Sequence, residues 1–361
     1  MPYLSGWRWQ PNNHWMNEKR VTIYDLAREL SVSPSYVSKA LNNHPSISQK
    51  VRDEVKNKAK QLNYKHNNLA VNLRRGTSRT LGVIVPKINQ TFFSDAIAGI
   101  ERVCFANNHS LIICQSHESF ELESRALETL IHQNVDGILI SVSAATKSPA
   151  HLQEVIKNNI PLVQFDRCLD AVDSHKVVND NSGASYKAVR HLLEQGYRRI
   201  AFIGGPDHLS VFRERKEGFL NAIKEAGIDM PYDFVTSNEL TEDAAGKTAM
   251  ALLQLKEPPD AFFTVADLLS MGILQAANEM RLVIPQEMGI IGFANEAISR
   301  LIQPSLSSIN QKAALIGECA AGLYFENVLA GNQSNGTFQT RIVDSEVIIR
   351  QSSGKKEYRM K

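Results

Sequence analysis

No apolar run in this 361-residue chain reaches the ~18 residues that a membrane-spanning helix needs. The opening MPYLSGWRWQPNNHWMN holds no continuous apolar stretch and no small-residue cleavage site, so no secretory leader is expected. Cysteine is scarce. Cys104, Cys114, Cys168 and Cys319 form no CxxC and have no histidine at metal-ligand spacing. Buried free thiols in a reducing cytoplasm are expected, with no metal. No GxGxxG opens a helix, which removes the reason to expect a dinucleotide; GGP at 204–206 reads as a turn. Neither a Ser/His/Asp order nor a paired acid with an evident base is present. No enzyme and no cofactor are expected. The closing KKEYRMK carries no leucine heptads, so nothing larger than a dimer is expected.

What the chain does have is an uneven charge. Its net charge is +2, yet residues 17–79 hold 13 Lys and Arg against 5 Asp and Glu, a net +8; with +1 from Arg8, that leaves −7 in residues 80–361. A small basic head on a larger acidic body suggests a polyanion-binding module. A solvated charged helix face would give the same count. Residues 1–16 differ in character from the rest of the chain and are expected to be a disordered extension, with Met16 the more conventional start.

The head occupies residues 17–66. Thr22 can N-cap a helix whose Ile23, Leu26, Ala27 and Leu30 share one face. Ser31-Val32 is a turn. Ser33 then caps a second helix with Pro34 at its first position, where a missing N–H costs nothing. Val37, Ala40 and Leu41 face the first helix, which leaves Pro34, Ser35, Tyr36, Ser38 and Lys39 outward. A third helix from near Ser48 carries Val51, Val55, Ala59 and Leu62 on one side. Three short helices around one apolar knot describe a helix-turn-helix head, its second helix sized for the major groove. A helical protein-interaction module would share this pattern.

The stretch VTIYDLARELSVSPSYVSKALN resembles the DNA-binding headpiece of the lactose-repressor/galactose-repressor (LacI/GalR) family, and the match runs without a gap through ISQKVRDEVKNKAKQLNYKHNNLAVNLRRGTSRTLGVIVP to near Arg350. The resemblance implies a cytoplasmic homodimeric repressor that binds a pseudo-palindromic double-stranded DNA operator. It also implies control by a small-molecule effector, a sugar or sugar derivative, and no membrane partner. It places Pro34, Ser35 and Lys39 at the base-reading positions. Pro34 can offer only apolar contact, Ser35 can bond either base class, and Lys39 can reach guanine O6/N7. Tyr36 replaces the usual Thr. Thr22, Tyr24 and Ser38 are implied phosphate contacts, and Ser33 and Asn42 complete the DNA-binding set. Residues 67–79 form the hinge. From the residues alone a short hinge helix and a plain linker are equally good. The resemblance implies a helix paired with its twin in the minor groove, with Ala70 permitting close approach and Leu73 as a wedge between base steps.

From Thr80 onward, strand-like runs alternate with helical patterns: LGVIVP, SLIICQS, GILISV, LVQFD, KVVND, RIAFIGG, AFFTV and GIIGF. This is the βαβ signature of parallel sheets. The cycle runs twice, breaking near Asp180-Asn181. The expected fold is an all-α helix-turn-helix headpiece plus an α/β two-lobed, periplasmic-binding-protein-like core of two doubly wound parallel sheets, with ligand between the lobes. The expected N-lobe spans about 80–180 and 311–341 and the C-lobe about 181–310 and 342–350; residues 351–361 read as a tail.

The resemblance carries Phe92, Phe93, Asp166, Arg167 and Arg215 into the effector cleft. Each has a plainer alternative: the phenylalanines can be core, and Asp166 and Arg167 can pair with each other. The chain also departs from the family. Ala266-Asp267 replaces Asn-Asp, and Asp267 is expected to cap a helix. Gly292-Phe293-Ala294 lacks the usual carboxylate, for which Asn295 and Glu296 can substitute. Leu240 stands where an aromatic often stacks. A regulator with a non-sugar or lost effector therefore stays open, and a transporter's solute-binding protein is the alternative from another class.

Overall fold

The computed structural model describes residues 21–64, 77–329 and 338–355. Ala70, Leu73 and the extension 1–16 lie outside the described residues. The chain divides into two compact units, the boundary falling between Gly76 and Thr77. Among the described residues no helix is long and apolar enough to cross a membrane.

In the first unit, α1 (Ile23–Glu29), α2 (Pro34–Leu41) and α3 (Gln49–Gln61) surround a knot of Leu26, Ala27, Val37, Ala40, Ile47, Val55 and Ala59. Each helix begins where its sequence permits. At Thr22 the side chain accepts from the Asp25 amide at 3.3 Å while the Asp25 carboxylate accepts from the Thr22 amide at 2.9 Å, a reciprocal capping box. Ser33 Oγ accepts from the Tyr36 amide at 3.2 Å, and Pro34 follows at N1. Ser31 takes a left-handed φ of +54°, which lets two short helices meet closely.

The second unit holds two parallel sheets. The first lobe is built on β1 (Thr80–Val85), β2 (Ser110–Gln115), β3 (Gly137–Ile140), β4 (Leu162–Phe165), β5 (His175–Asn179) and β11 (Thr340–Val343), in the order β11-β5-β4-β3-β1-β2. The second is built on β6 (Ile200–Gly204), β7 (Val235–Ser237), β8 (Ala261–Thr264) and β9 (Gly289–Ile291), in the order β7-β6-β8-β9. Every pair within them is parallel, so helices must carry the chain across. The first lobe uses α4 (Thr91–Ala106), α5 (Phe120–His132), α6 (Ala150–Lys157) and α12 (Ala313–Tyr324). The second uses α7 (Asn181–Glu194), α8 (Ser210–Glu225), α9 (Glu242–Leu253), α10 (Asp267–Glu279) and the short α11 (Ile298–Leu301). Helices α4 and α12 touch at Gly99 and Gly317, where an added Cβ would run into the backbone carbonyls of Ala314 and Ala96. Only glycine permits that approach.

Three segments cross between the lobes: Asn179-Asp180 into α7, Asn310-Gln311 from β10 (Ser308–Asn310) into α12, and Val343 to Glu346 into β12 (Glu346–Ile348). β10 and β12 pair antiparallel beside the crossings. Asn179, 3% exposed, ties all three. Its Nδ2 donates to the carbonyls of Gln311 at 2.9 Å and Val343 at 3.1 Å, and its Oδ1 accepts from Gln311 Nε2 at 3.1 Å.

Two expectations about the chain's last third need correction. The first-lobe sheet runs to Val343, which places the approximate boundary near 341 two residues later, because β11 pairs with β5 through Val343↔Asn179. Residues 351–355 are not a tail. Ser352 is fully buried, its carbonyl accepts from the Ile290 amide at 2.8 Å, and its hydroxyl donates to the Ile290 carbonyl at 2.6 Å. Serine-rich sequence concealed a segment hydrogen-bonded to β9.

Asn179→Ala removes two donated bonds, leaving the Gln311 carbonyl without its donor and the Val343 carbonyl with the Asp180 amide alone. Equilibrium urea unfolding should show a loss of about 2–4 kcal/mol with an unchanged m-value. A change below about 0.5 kcal/mol would show that the crossings do not depend on this amide.

Candidate functional site

On α2, Val37 and Ala40 are buried, whereas Ser35, Tyr36, Lys39 and Asn42 are exposed and Pro34 and Ser38 partly so. Positions 34, 35, 38, 39 and 42 follow the i, i+1, i+4, i+5, i+8 spacing of one helical face. The fold thus brings these expected residues onto one surface. Tyr24 lies 69% exposed on α1. Thr22 and Ser33 are at the helix starts with their side chains engaged in caps, and Asn42 Nδ2 donates to the Ser38 carbonyl at 2.8 Å. These three have structural employment whatever else they touch.

In the second unit, a cavity of about 60 Å³ lies between the lobes at the carboxyl ends of the strands. Phe92, Phe93, Asp166, Arg167, Arg215 and Glu296 all line it; Asn295 does not. Phe92 and Phe93 come from the first turn of α4, meet edge to face at 5.2 Å, and serve core and cavity together.

Asp166 follows β4 with a left-handed φ of +58° and is 7% exposed. Burial pushes its carboxyl up, and the charges of Arg167 and Arg215 offset that. Its one side-chain partner among the described residues is Gln311 Nε2 at 3.4 Å. Asp166 and Arg167 are not each other's hydrogen-bond partners. Arg167 Nη1 instead donates to both carboxylate oxygens of Glu118 at 2.9 Å, and Glu118 also accepts from the Ala144 amide at 2.7 Å. The Arg167 guanidinium lies 5.6 Å from the rings of Phe93 in one lobe and Phe212 in the other.

Arg215, 5% exposed on α8, donates to Asn181 Oδ1 at 2.9 Å and the Val265 carbonyl at 2.7 Å. Its guanidinium stands 3.6 Å from the Phe293 ring centre, a cation–π contact in a dry setting. Burial lowers it to about 10, with Asp166 opposing, so the group is still cationic at neutral pH.

The expectation that Asp267 caps α10 needs correction. The cap is Ala266, and the fully buried Asp267 carboxylate accepts from Ser308 Oγ at 2.6 Å, the Glu296 amide at 2.8 Å and Ser299 Oγ at 2.8 Å. It staples the 292–299 loop to β10. Gly292 is required there, since a Cβ would collide with Asp267 Oδ1. The same loop places Ala294 at φ +118° and Asn295 at φ +53°. That geometry turns Asn295 away, where its Oδ1 accepts from Arg350 Nη2 at 2.6 Å, and brings Glu296 to the cavity. Glu296 accepts from Thr91 Oγ1 at 3.2 Å, a bond across the cleft from lobe to lobe; burial raises its carboxyl and the Thr91 bond opposes that. Arg213 and Asp170 make a second cross-cleft contact at 3.2 Å on the exposed side.

Sequence reasoning missed Gln90, Glu118, Phe212, Phe293 and Gln311. Phe212 stands one turn before Arg215 and Phe293 sits inside the expected GIIGF strand, so spacing could have found both. Glu118 carries no local signal, because its partner is 49 residues away. Among the described residues no group of three His, Cys, Asp or Glu could hold a metal ion.

Two family patterns match the chain: bacterial regulatory proteins of the lacI family over residues 22–67, and the periplasmic binding protein-like domain over residues 189–353. The HTH-type transcriptional repressor CytR of Escherichia coli is 30% identical over 93% of this chain and 97% of its own. The lac repressor dimer bound to operator and the anti-inducer ONPF superposes with a TM-score of 0.80 at 21% identity, covering 93% of this chain and 99% of that one. A LacI family regulator from Enterococcus faecium with bound ribose has a TM-score of 0.66 at 25% identity, covering 76% of this chain and 99% of that one.

Ala294 holds a backbone conformation that costs a residue with a Cβ about 1–3 kcal/mol. Ala294→Gly should raise the unfolding midpoint, and an unchanged or lowered midpoint in thermal unfolding would remove strain from the account of this loop.

Proposed function

Since the chain belongs to the LacI family of bacterial regulatory proteins, and is a DNA-binding transcriptional repressor, we propose that it acts as a homodimer on a pseudo-palindromic operator and is controlled by a sugar or sugar derivative held between its lobes. One observation carries the ligand half of this reading: two carboxylates, Asp166 and Glu296, and two arginines, Arg167 and Arg215, converge on one cavity between phenylalanines of both lobes. Aromatic faces pack on the C–H side of a sugar ring, carboxylates accept from its hydroxyls, and arginines donate. Asp166 has hydrogen-bonding capacity to spare, and Glu296 supplies the second-lobe carboxylate that Ala294 lacks. Ribose in the Enterococcus faecium relative supports the same class.

The cavity's 60 Å³ is far below the ~300–1,000 Å³ of ligand sites. Entry therefore requires the lobes to part, breaking Thr91–Glu296 and Arg213–Asp170. The effector then shifts the balance between lobe geometries, and a dimer converts that shift into a changed spacing of its two hinges. For the dimer, Phe105 at the end of α4 is 83% exposed and Ile113 on the edge strand β2 is 48% exposed, apolar surface of the kind that a second copy covers. For DNA, the exposed face of α2 offers Ser35 and Lys39 to base edges, and Tyr24, Tyr36 and Ser38 stand where phosphates would pass. Pro34 adds apolar contact. Ala70 and Leu73 remain proposed as the minor-groove pair.

Selecting bound duplexes from a random pool should enrich a symmetric site, with affinity falling steeply as salt rises. No preference for any symmetric duplex would overturn the regulator reading; a solute-binding protein would retain none. Lys39→Ala should weaken the selected site by about 1–3 kcal/mol and relax one base pair in each half. Equal loss on selected and random duplexes would reduce Lys39 to a phosphate contact.

A thermal-shift screen across sugars, sugar phosphates, uronates and nucleosides should find a stabilising compound. Glu296→Gln should then weaken that compound by about 1–2 kcal/mol while Asn295→Ala leaves its affinity nearly unchanged. A stabilising nucleoside with no stabilising sugar would redirect the ligand class, and no stabilising compound at all would favour a cleft that has lost its effector.

A further inference from the structure

Outside the cleft, one buried cluster meets the chain at the point where it enters the core. The Asp136 carboxylate, in the loop before β3, accepts from the Ser78 amide at 2.6 Å, the Ser78 hydroxyl at 3.0 Å and the Arg79 amide at 2.7 Å. Arg79 sits at φ +52°, a turn that this carboxylate holds in place. Tyr324 of α12 donates to the Asp136 carbonyl at 3.2 Å, and the Asp136 amide donates to the Thr80 carbonyl at 2.8 Å, which fixes the aspartate itself.

Against that carboxylate stands His109. Its side chain is 6% exposed and that of Asp136 is 12% exposed. Its Nδ1 lies 2.8 Å from the Asn107 carbonyl, which can only accept, so Nδ1 carries a hydrogen. Nε2 is then the atom whose protonation is open. It has no hydrogen-bond partner among the described residues and faces Asp136 Oδ2 at 3.6 Å. Without a second proton a nitrogen lone pair confronts a carboxylate. With it, the ring becomes a charge-assisted donor to the same carboxylate that holds Ser78 and Arg79. The other titratable groups about the ring are Tyr324 of α12, edge-on at 6.4 Å, Cys104 of α4, whose carbonyl accepts the His109 amide, and Glu101 further along α4. Burial pushes the Tyr324 phenol and the Cys104 thiol up, so both stay neutral, and Asp136 is the carboxylate within ion-pair reach of Nε2.

We propose that His109 and Asp136 form a proton-sensitive clamp on Ser78 and Arg79, at the start of the core, and that both are positioning residues for operator binding. The role in DNA binding rests on the regulator reading; the clamp itself does not. Protonating His109 tightens the hold on Ser78 and Arg79, so operator affinity is greater when Nε2 carries its proton than when it does not.

The test is fluorescence anisotropy of the full-length protein on the selected duplex from about pH 5 to 8, the span over which imidazoles as a class change charge. Wild type should lose about fivefold more affinity than His109→Gln, the scale of one charge-assisted hydrogen bond. The exposed His44 of the head is present in both proteins, and its contribution cancels. Asp136→Asn should bind weakly throughout and show the shallow slope of His109→Gln. Equal slopes in wild type and His109→Gln overturn the operator-positioning role. A second measurement needs no variant and no DNA. In free wild-type protein, hydrogen exchange at the Ser78 and Arg79 amides, corrected for intrinsic rates, should accelerate relative to the Ile138 amide as pH rises. A constant ratio overturns the clamp. If wild type binds no duplex at all, the regulator reading fails, and the exchange ratio still decides the clamp.

Discussion

The two lobes hang together on the amide of Asn179. Three chain segments pass between them, and in a low-dielectric crossing every backbone donor and acceptor must find a partner. One side chain meets that demand for all three by donating to two crossing carbonyls and accepting from Gln311. Gln311 also reaches Asp166 on the cavity wall. The part that keeps the lobes in register is therefore two hydrogen bonds from the part that would meet a ligand. Polar networks inside a protein are effective only when fully satisfied, and this one is satisfied by the crossings themselves rather than by neighbours in sequence.

A similar economy governs the second-lobe wall. Asp267 is buried, which raises its carboxyl and is costly unless its oxygens are hydrogen-bonded. Two serine hydroxyls and the Glu296 amide occupy them, and in doing so they draw the 292–299 loop into a shape with two successive left-handed residues, Ala294 and Asn295. That shape decides which side chain reaches the cavity. The loop's conformation, and not the identity of the residue at 294, places a carboxylate there.

The fold class can be read from the sequence because its signals are periodic and local. Eight of the strands stand out as apolar runs, the caps at Thr22 and Ser33 are written in the residues that make them, and the break at Asp180 falls where the apolar rhythm restarts. The resemblance to a known family then supplies most of the cleft. The remainder depends on distant partners. Glu118 and Arg167 are joined only by the fold, Asp267 serves a loop some thirty residues on, and β7 and β12 are too short to show a period. Residues 351–355 read as tail because serines make the segment polar, while Ser352 is buried and hydrogen-bonded to Ile290 and Ser305. Asn295 and Glu296 cannot be told apart without the backbone angles that aim them in opposite directions.

Arg215 has consequences for how such a cleft changes over generations. Its cation already rests on an aromatic ring, an amide oxygen and a backbone carbonyl. It needs no guest to be content in its burial, so a gene line can lose one metabolite and acquire another without first dismantling this residue. Glu296 is tied to the other lobe by a single side-chain bond, from Thr91, and Leu240 is held by apolar contact alone, so these are where new tastes can be tried. A scaffold of this kind lets chemical preference drift at its margins while the mechanical parts are inherited intact.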